Sequence, residues 1–232
     1  RAHHASNDDS PRTMTVEVKI CGLRSSEALD AALDAGADYV GFVFYGRSPR
    51  NVELATARLL ADAARGRAKS VALVVDADDA LLARIVEEVG PDIIQLHGAE
   101  SPERAGDIRQ RFGRPVMKAV SVSGPEDVRG ALTYAGRADR ILFDAKPQPS
   151  EAGALPGGNG VAFDWRALAA ADASIDYVLA GGLTPENVAE AIRLTGARAV
   201  DVSSGVESRP GEKDTGLIRR FISAAKTAKQ TA

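Results

Sequence analysis

Cys21 is the only cysteine in this chain of 232 residues, and it ends the apolar run Val18-Lys19-Ile20-Cys21 ahead of Gly22. A thiol serves as base or nucleophile only as its thiolate, so its surroundings decide whether it does chemistry or fills a core. Lys19 lies two residues earlier and, in a strand, shares the face of Cys21. An ammonium there favours the thiolate; the alternative is a small buried thiol. Asp144 ends a second apolar run, Ile141-Leu142-Phe143-Asp144. A carboxyl at that position can give or take a proton, or equally cap a turn. Asp201 and His97 occupy similar positions, and His97, in Gln95-Leu96-His97-Gly98, suits a hydrogen-bonding wall better than a base.

A second group of residues suits anions. Gly181-Gly182-Leu183 and Ser203-Ser204-Gly205 each follow a β-branched run. Glycine lets backbone N–H groups approach a phosphate closely, and hydroxyls add hydrogen bonds. Arg50, in Ser48-Pro49-Arg50-Asn51, offers a planar fork to a second anion such as a carboxylate, unless it is a solvated loop arginine. Arg47 is a weaker competitor for that role.

These groups need a frame that points them at one place. Eight short apolar runs recur, over residues 16–20, 39–44, 70–75, 92–96, 115–120, 140–143, 177–180 and 199–202. Most are separated by room for one helix and two short loops. Ser25-Ser26-Glu27 can cap a helix with Ala28, Leu29, Ala32 and Leu33 on one face, which Gly36 stops. Leu81, Leu82, Ile85, Val86 and Val89 repeat that spacing. Ser101-Pro102 and Thr184-Pro185 place a capping hydroxyl before a helix-starting proline, Asp164 can cap a helix from Trp165, and Leu217, Ile218, Phe221 and Ile222 give a last helix its stripe. Strands alternating with helices imply a parallel sheet, and eight of each at this length close into a (β/α)8 TIM barrel. A doubly wound sheet is disfavoured, since no G-x-G-x-x-G follows the first strand. The candidates then fall at the strands' C-terminal ends, where barrel enzymes build their sites, and phosphate sites form after strands seven and eight. Two long loops, 45–51 and 145–163, lie on that face and suit lids.

Composition narrows the partners. The chain is 44% hydrophobic and carries a net charge of −3, with no basic block, so nucleic acid is not an expected partner. Its apolar runs are strand-sized, too short for a membrane span. A lone cysteine forms no internal disulfide, which fits a reducing, cytoplasmic setting. Residues 1–14, including His3 and His4, are polar and aperiodic and read as a disordered or cloning-derived extension; residues 15–232 read as one barrel domain. No chelating cluster stands out, so no metal is expected.

Taken together, Val18-Lys19-Ile20-Cys21-Gly22, Gly41-Phe42-Val43-Phe44 with Ser48-Pro49-Arg50, Gln95-Leu96-His97-Gly98, Phe143-Asp144-Ala145, Gly157-Gly158-Asn159-Gly160 with Phe163-Asp164-Trp165, Ala180-Gly181-Gly182-Leu183 and the segment from Val200 to Glu207 resemble phosphoribosylanthranilate isomerase. The resemblance runs from about Val16 to Phe221; Asn159 departs from the Ser or Thr common there. It implies a cofactor-free Amadori rearrangement in tryptophan biosynthesis, in which a phosphorylated aminoaldose becomes an aminoketose. It implies Asp144 as general acid, Cys21 as general base, Arg50 on the anthranilate carboxylate, and Gly181, Gly182, Ser203, Ser204 and Gly205 on the phosphate. Lys19, His97, Asp201 and Gly158 are further candidates for the substrate site. Such barrels occur as monomers or homodimers, and whether the parallel aminoaldose of histidine synthesis is accepted stays open.

Two other readings compete. A metal-dependent epimerase needs inward His and Asp ligands on several strands, and a synthase of the indole-glycerol-phosphate type needs catalytic lysines on inner strands, for which no good pattern exists. A barrel that only binds a phosphometabolite would have lost its acid or base, and both are present.

Overall fold

The computed structural model describes residues 15–145, 165, 168 and 175–228. Eight parallel strands pair in sequence order and close on themselves: β1 (Glu17–Cys21), β2 (Tyr39–Phe44), β3 (Lys69–Val74), β4 (Ile93–Leu96), β5 (Val116–Val122), β6 (Arg140–Ala145), β7 (Tyr177–Leu179) and β8 (Ala199–Val202). The closing seam sets Lys19 of β1 opposite Asp201 of β8. Helices α1 (Ser26–Asp34), α2 (Leu54–Ala64), α3 (Asp79–Glu88), α4 (Pro102–Phe112), α5 (Pro125–Gly130), α6 (Val188–Thr195) and α7 (Thr215–Thr227) alternate with the strands, giving the expected (β/α)8 barrel.

Local chemistry explains the starts and stops. Ser25, Asp78, Ser101 and Asp214 each turn a side-chain oxygen onto an orphan N–H in the first turn of α1, α3, α4 and α7. Past α1 the chain reverses at Gly36, whose φ of 89° suits glycine. The Thr184 hydroxyl accepts from Glu186 N at 3.3 Å, as the expected cap would, but residues 185–187 form a turn and α6 starts only at Val188. Asn187 braces this turn, its Oδ1 accepting from Thr184 N and its Nδ2 donating to Gly182 O. Strand β6 runs on through Asp144, which pairs with Ser121 in the ladder, so Asp144 is a strand residue and not a turn cap. The helix expected at Trp165, its cap Asp164, most of the 145–163 loop and the 1–14 extension lie outside the described residues.

Period-two alternation in the strands separates two interiors. Val18, Ile20, Val40, Phe42, Val74, Leu96 and Phe143 face outward and pack against the helices' Leu29, Leu82, Ile85, Ile108, Ile192 and Phe221 in one continuous core. The barrel's inside is small and mixed. Met117, Ala119, Leu142, Val178, Ala180 and Ala199 form one apolar patch, and Cys21, Val43 and Leu73 form another. At the N-terminal end a polar plug shuts the cylinder: Arg140 Nη1 donates to Glu17 Oε2 at 2.7 Å, and Tyr39 donates its hydroxyl proton to Glu17 Oε1 at 3.2 Å.

The outer core therefore carries stability and is separate from the groups inside. Phe143 is fully buried there, its ring 5.4 Å from that of Tyr177. Phe143→Ala is expected to lower unfolding stability by about 3–5 kcal/mol, read as a lower urea midpoint at unchanged slope.

Candidate active site

A cleft opens at the C-terminal mouth of the barrel. Cys21, His97, Asp144 and Asp201 reach it from the strands' upper ends, Arg50 from the loop after β2, and the segments 180–183 and 202–205 from beyond β7 and β8. Nearly every sequence candidate thus meets in one place. Lys19 sits beneath the cleft instead of lining it, Arg47 is exposed on the loop's outside, and Gly158 lies outside the described residues.

Lys19 is 1% exposed and donates from Nζ to Asp201 Oδ1 at 2.8 Å. Burial works against its charge, yet Asp201 and Cys21 outweigh it and hold the ammonium above its ordinary pKa. Lys19 favours the thiolate as expected, but burial outweighs it. Burial pushes Cys21 up, Lys19 and Lys213 pull it down, Asp201 adds to the rise, and the balance leaves it above the ordinary thiol value of 9.0. Space around it is tight. A Cβ at Gly41, its ladder partner, would lie 3.0 Å from Cys21 Sγ and 3.3 Å from Lys19 Nζ.

Beneath Asp144, Gln95 Nε2 lies 2.9 Å from His97 Nδ1, and His97 Nε2 lies 3.1 Å from Asp144 Oδ2. Gln95 was visible in the sequence only as part of a motif; its parity with His97 along β4 places both inward.

Arg50 does not face solvent, being only 8% exposed. Glu207 accepts from Arg50 Nε and Nη2, both at 2.8 Å, and also from Lys213 Nζ at 2.8 Å. Burial pushes the Glu207 carboxyl up, but Arg50 and Lys213 outweigh it and leave it below the ordinary carboxylate range. For Lys213, burial prevails over Glu207 and lowers the ammonium's pKa. Glu207 and Lys213 belong to a hairpin, β9 (Glu207–Arg209) and β10 (Glu212–Lys213), that sequence reading missed. Two- and three-residue strands leave too short a pattern to register. Gly211 at the hairpin's turn has φ 82°, and a Cβ there would lie 2.4 Å from Pro49 O, so only glycine lets the hairpin dock on the loop that carries Arg50.

The loops after β7 and β8 touch one another. Gly181 and Gly182 adopt φ of 91° and 65°, and a Cβ on Gly205 would fall 1.9 Å from Leu183 O. Ser203 accepts on Oγ from Lys213 and donates to Cys21 O, tying this rim to β1. Among the described residues no group of three His, Cys, Asp or Glu side chains converges in a way that could hold a metal ion, and no helix is long and apolar enough to cross a membrane.

Fold and cleft define a (β/α)8-barrel enzyme that brings a thiol and a carboxyl into one cavity beside a glycine-rich rim. A model of the N-(5'-phosphoribosyl)anthranilate isomerase family matches residues 18–224. An N-(5'-phosphoribosyl)anthranilate isomerase of Parvibaculum lavamentivorans is 53% identical over 215 residues, covering 93% of this chain and 100% of that protein. The crystal structure of phosphoribosyl anthranilate isomerase from Thermotoga maritima superposes with a TM-score of 0.79 at 36% identity, over 91% of this chain and 98% of that one. A crystal structure of phosphoribosyl anthranilate isomerase in complex with reduced 1-(o-carboxyphenylamino)-1-deoxyribulose 5-phosphate superposes with a TM-score of 0.76 at 35% identity, over 91% and 98% of the two chains. The chain belongs to the N-(5'-phosphoribosyl)anthranilate isomerase family and is an isomerase of tryptophan biosynthesis.

The contact of Gly205 with a backbone carbonyl leaves no flexible atom to give way. Gly205→Ala is expected to force the two loops apart, raising KM for the phosphorylated substrate about tenfold or more while the chain still folds, checked by steady-state kinetics alongside circular dichroism.

Proposed function

We propose that this cleft converts N-(5-phosphoribosyl)anthranilate to 1-(2-carboxyphenylamino)-1-deoxyribulose 5-phosphate with Asp144 as general acid and Cys21 as general base. The observation that carries this assignment is that the two side chains, from β6 and β1, line one cavity between the β7–β8 rim and Arg50. The phosphate is read onto the backbone and hydroxyls of Gly181, Gly182, Ser203, Ser204 and Gly205, and the anthranilate carboxylate onto Arg50. Two anchored anions fix the sugar between acid and base.

The steps follow from proton placement. The anilino nitrogen's lone pair forms a double bond to C1′ as the C1′–O4′ bond breaks, and Asp144 delivers a proton to O4′. Cys21, as thiolate, removes the proton on C2′, and those bond electrons form the C1′=C2′ double bond of an enolamine while neutralising the iminium nitrogen. Tautomerisation moves the C2′ hydroxyl proton to C1′ and leaves the ketone. Product and substrate contain the same atoms and electrons, so the chemistry calls for proton transfers alone.

A raised thiol pKa serves this base in one respect and costs it in another. Less thiolate is present at neutral pH, but each thiolate is a stronger base toward a carbon acid. Lys19 and Lys213 offset the cost by stabilising the anion. Every group the scheme uses sits on one chain, so it operates alike in a monomer or a homodimer. A phosphorylated small molecule as partner and a cytoplasmic location accompany the reading.

Cys21→Ala and Asp144→Asn are each expected to lower kcat by about 10²–10⁴-fold in a fluorescence assay of anthranilate consumption, with native circular dichroism. Near-normal turnover in either variant removes that residue from its role. Arg50→Ala is expected chiefly to raise KM, and an unchanged KM sends the carboxylate elsewhere. Because a base must be unprotonated and burial holds the thiol above its ordinary value, kcat/KM is expected to keep rising from about pH 7 to about pH 9. A profile already flat by about pH 7.5 contradicts a thiol held above its ordinary value.

A further inference from the structure

We propose that Gln95 is a positioning residue that selects the tautomer of His97 and, through it, which oxygen of Asp144 carries the transferable proton; this rests on the reading of Asp144 as the acid.

Gln95 is 0% exposed on the inward face of β4, where a polar side chain without a task is costly. Its amide turns the Nε2 donor to His97 Nδ1 at 2.9 Å. Its other polar atom, Oε1, is buried and has no hydrogen-bond partner among the described residues. The amide is thus committed to the imidazole even though half of its bonding capacity goes unused. A neutral imidazole has one donor and one acceptor nitrogen, so an acceptor at Nδ1 makes Nε2 the donor. Nε2–H then points to Asp144 Oδ2, 3.1 Å away.

The consequence falls on the acid. A carboxyl holds its proton on one oxygen, and Oδ2 already receives a hydrogen bond, so the proton resides on Oδ1. After transfer, the same N–H stabilises the carboxylate left behind, with no tautomer change. The other tautomer would present a bare Nε2 to Asp144. That nitrogen would accept the acid's proton into a hydrogen bond and hold it away from the substrate.

The chain holds only three histidines, His3, His4 and His97, which makes the imidazole directly readable. In uniformly ¹⁵N-labelled protein, the two-bond ¹H–¹⁵N spectrum is expected to show His97 with a protonated Nε2 and a bare Nδ1, its signals assigned by their loss in His97→Gln. Gln95→Met, of similar size but without a donor, is expected to mix the tautomers and lower kcat about tenfold or more, with KM changed less than about twofold. His97→Gln places an amide N–H toward the same oxygen with no tautomer to choose. In that background, adding Gln95→Met is expected to cost less than about twofold in kcat.

A wild-type His97 protonated on Nδ1 overturns the proposal, and that measurement needs no variant. So does a Gln95→Met enzyme with wild-type tautomer and kcat. An equal cost of Gln95→Met with His97 or Gln at position 97 also overturns it, since that is the mark of a merely structural glutamine. Failure of the acid assignment looks different: Asp144→Asn retains turnover, whatever the tautomer of His97.

Discussion

The site depends on a lysine held almost entirely inside a barrel. An ammonium removed from water is expensive unless a carboxylate and good geometry compensate it, and Lys19 finds both in Asp201, its direct ladder partner across the closing seam. That requirement works as a register constraint. A slip of one residue between β1 and β8 would turn one partner to the outer face and leave the other buried and unpaired. Breaking such a pair costs about 3–5 kcal/mol, a large share of a domain's stability. The ion pair that closes the cylinder is therefore also what places a cation under Cys21.

The same logic runs through the rest of the interior. The outer core is apolar and continuous, and it holds the strands in place without help from inside. The inner face can then carry charges, provided each is matched. Glu17 is matched by Arg140 at the floor, Lys19 by Asp201 at mid-height, and Arg50 and Lys213 by Glu207 at the rim. Matching leaves the interior nearly neutral, so the negative charge of a thiolate or of a substrate phosphate falls on groups held rigidly by their partners. Preorganised charge of this kind needs no reorientation when the reaction demands it.

Much of this was legible in the sequence, because period-two alternation is a local signal. The strands over Tyr39–Phe44 and Ala199–Val202 coincide with their apolar runs, and alternation in β1 alone set Lys19 and Cys21 on one inward face. Position at a strand's C-terminal end gathered Asp144, His97 and the two glycine-rich loops. What was not legible is what depends on contacts distant in sequence. Arg50 and Glu207 are separated by 157 residues, and no local pattern announces that a short hairpin will return to clamp a loop arginine. The thiol's net balance was out of reach for a related reason. Sequence showed the nearby ammonium but not the depth of burial, and burial is the larger influence. The late start of α6 was not legible either: the Thr184 hydroxyl caps a turn, and Asn187, three residues on, ties that turn to Thr184 N and Gly182 O before the helix begins.

The clamp on Arg50 shows why such distant contacts are kept. A loop arginine with free rotamers would lose that freedom each time a carboxylate bound, at about 2 kcal/mol for a side chain of this length. Glu207 holds the Nε and Nη2 edge in advance, and the hairpin that carries Glu207 is itself fixed by the close approach of Gly211 to Pro49. The ordering cost is met during folding, so substrate binding need not meet it again. Glu207 also moderates the cation. A guanidinium already facing one carboxylate holds a second less tightly, so in the proposed scheme Arg50 orients the anthranilate more than it traps it. An isomerase has to release a product that carries the same carboxylate and the same phosphate as its substrate, so anchors of moderate strength serve turnover better than the strongest ones available.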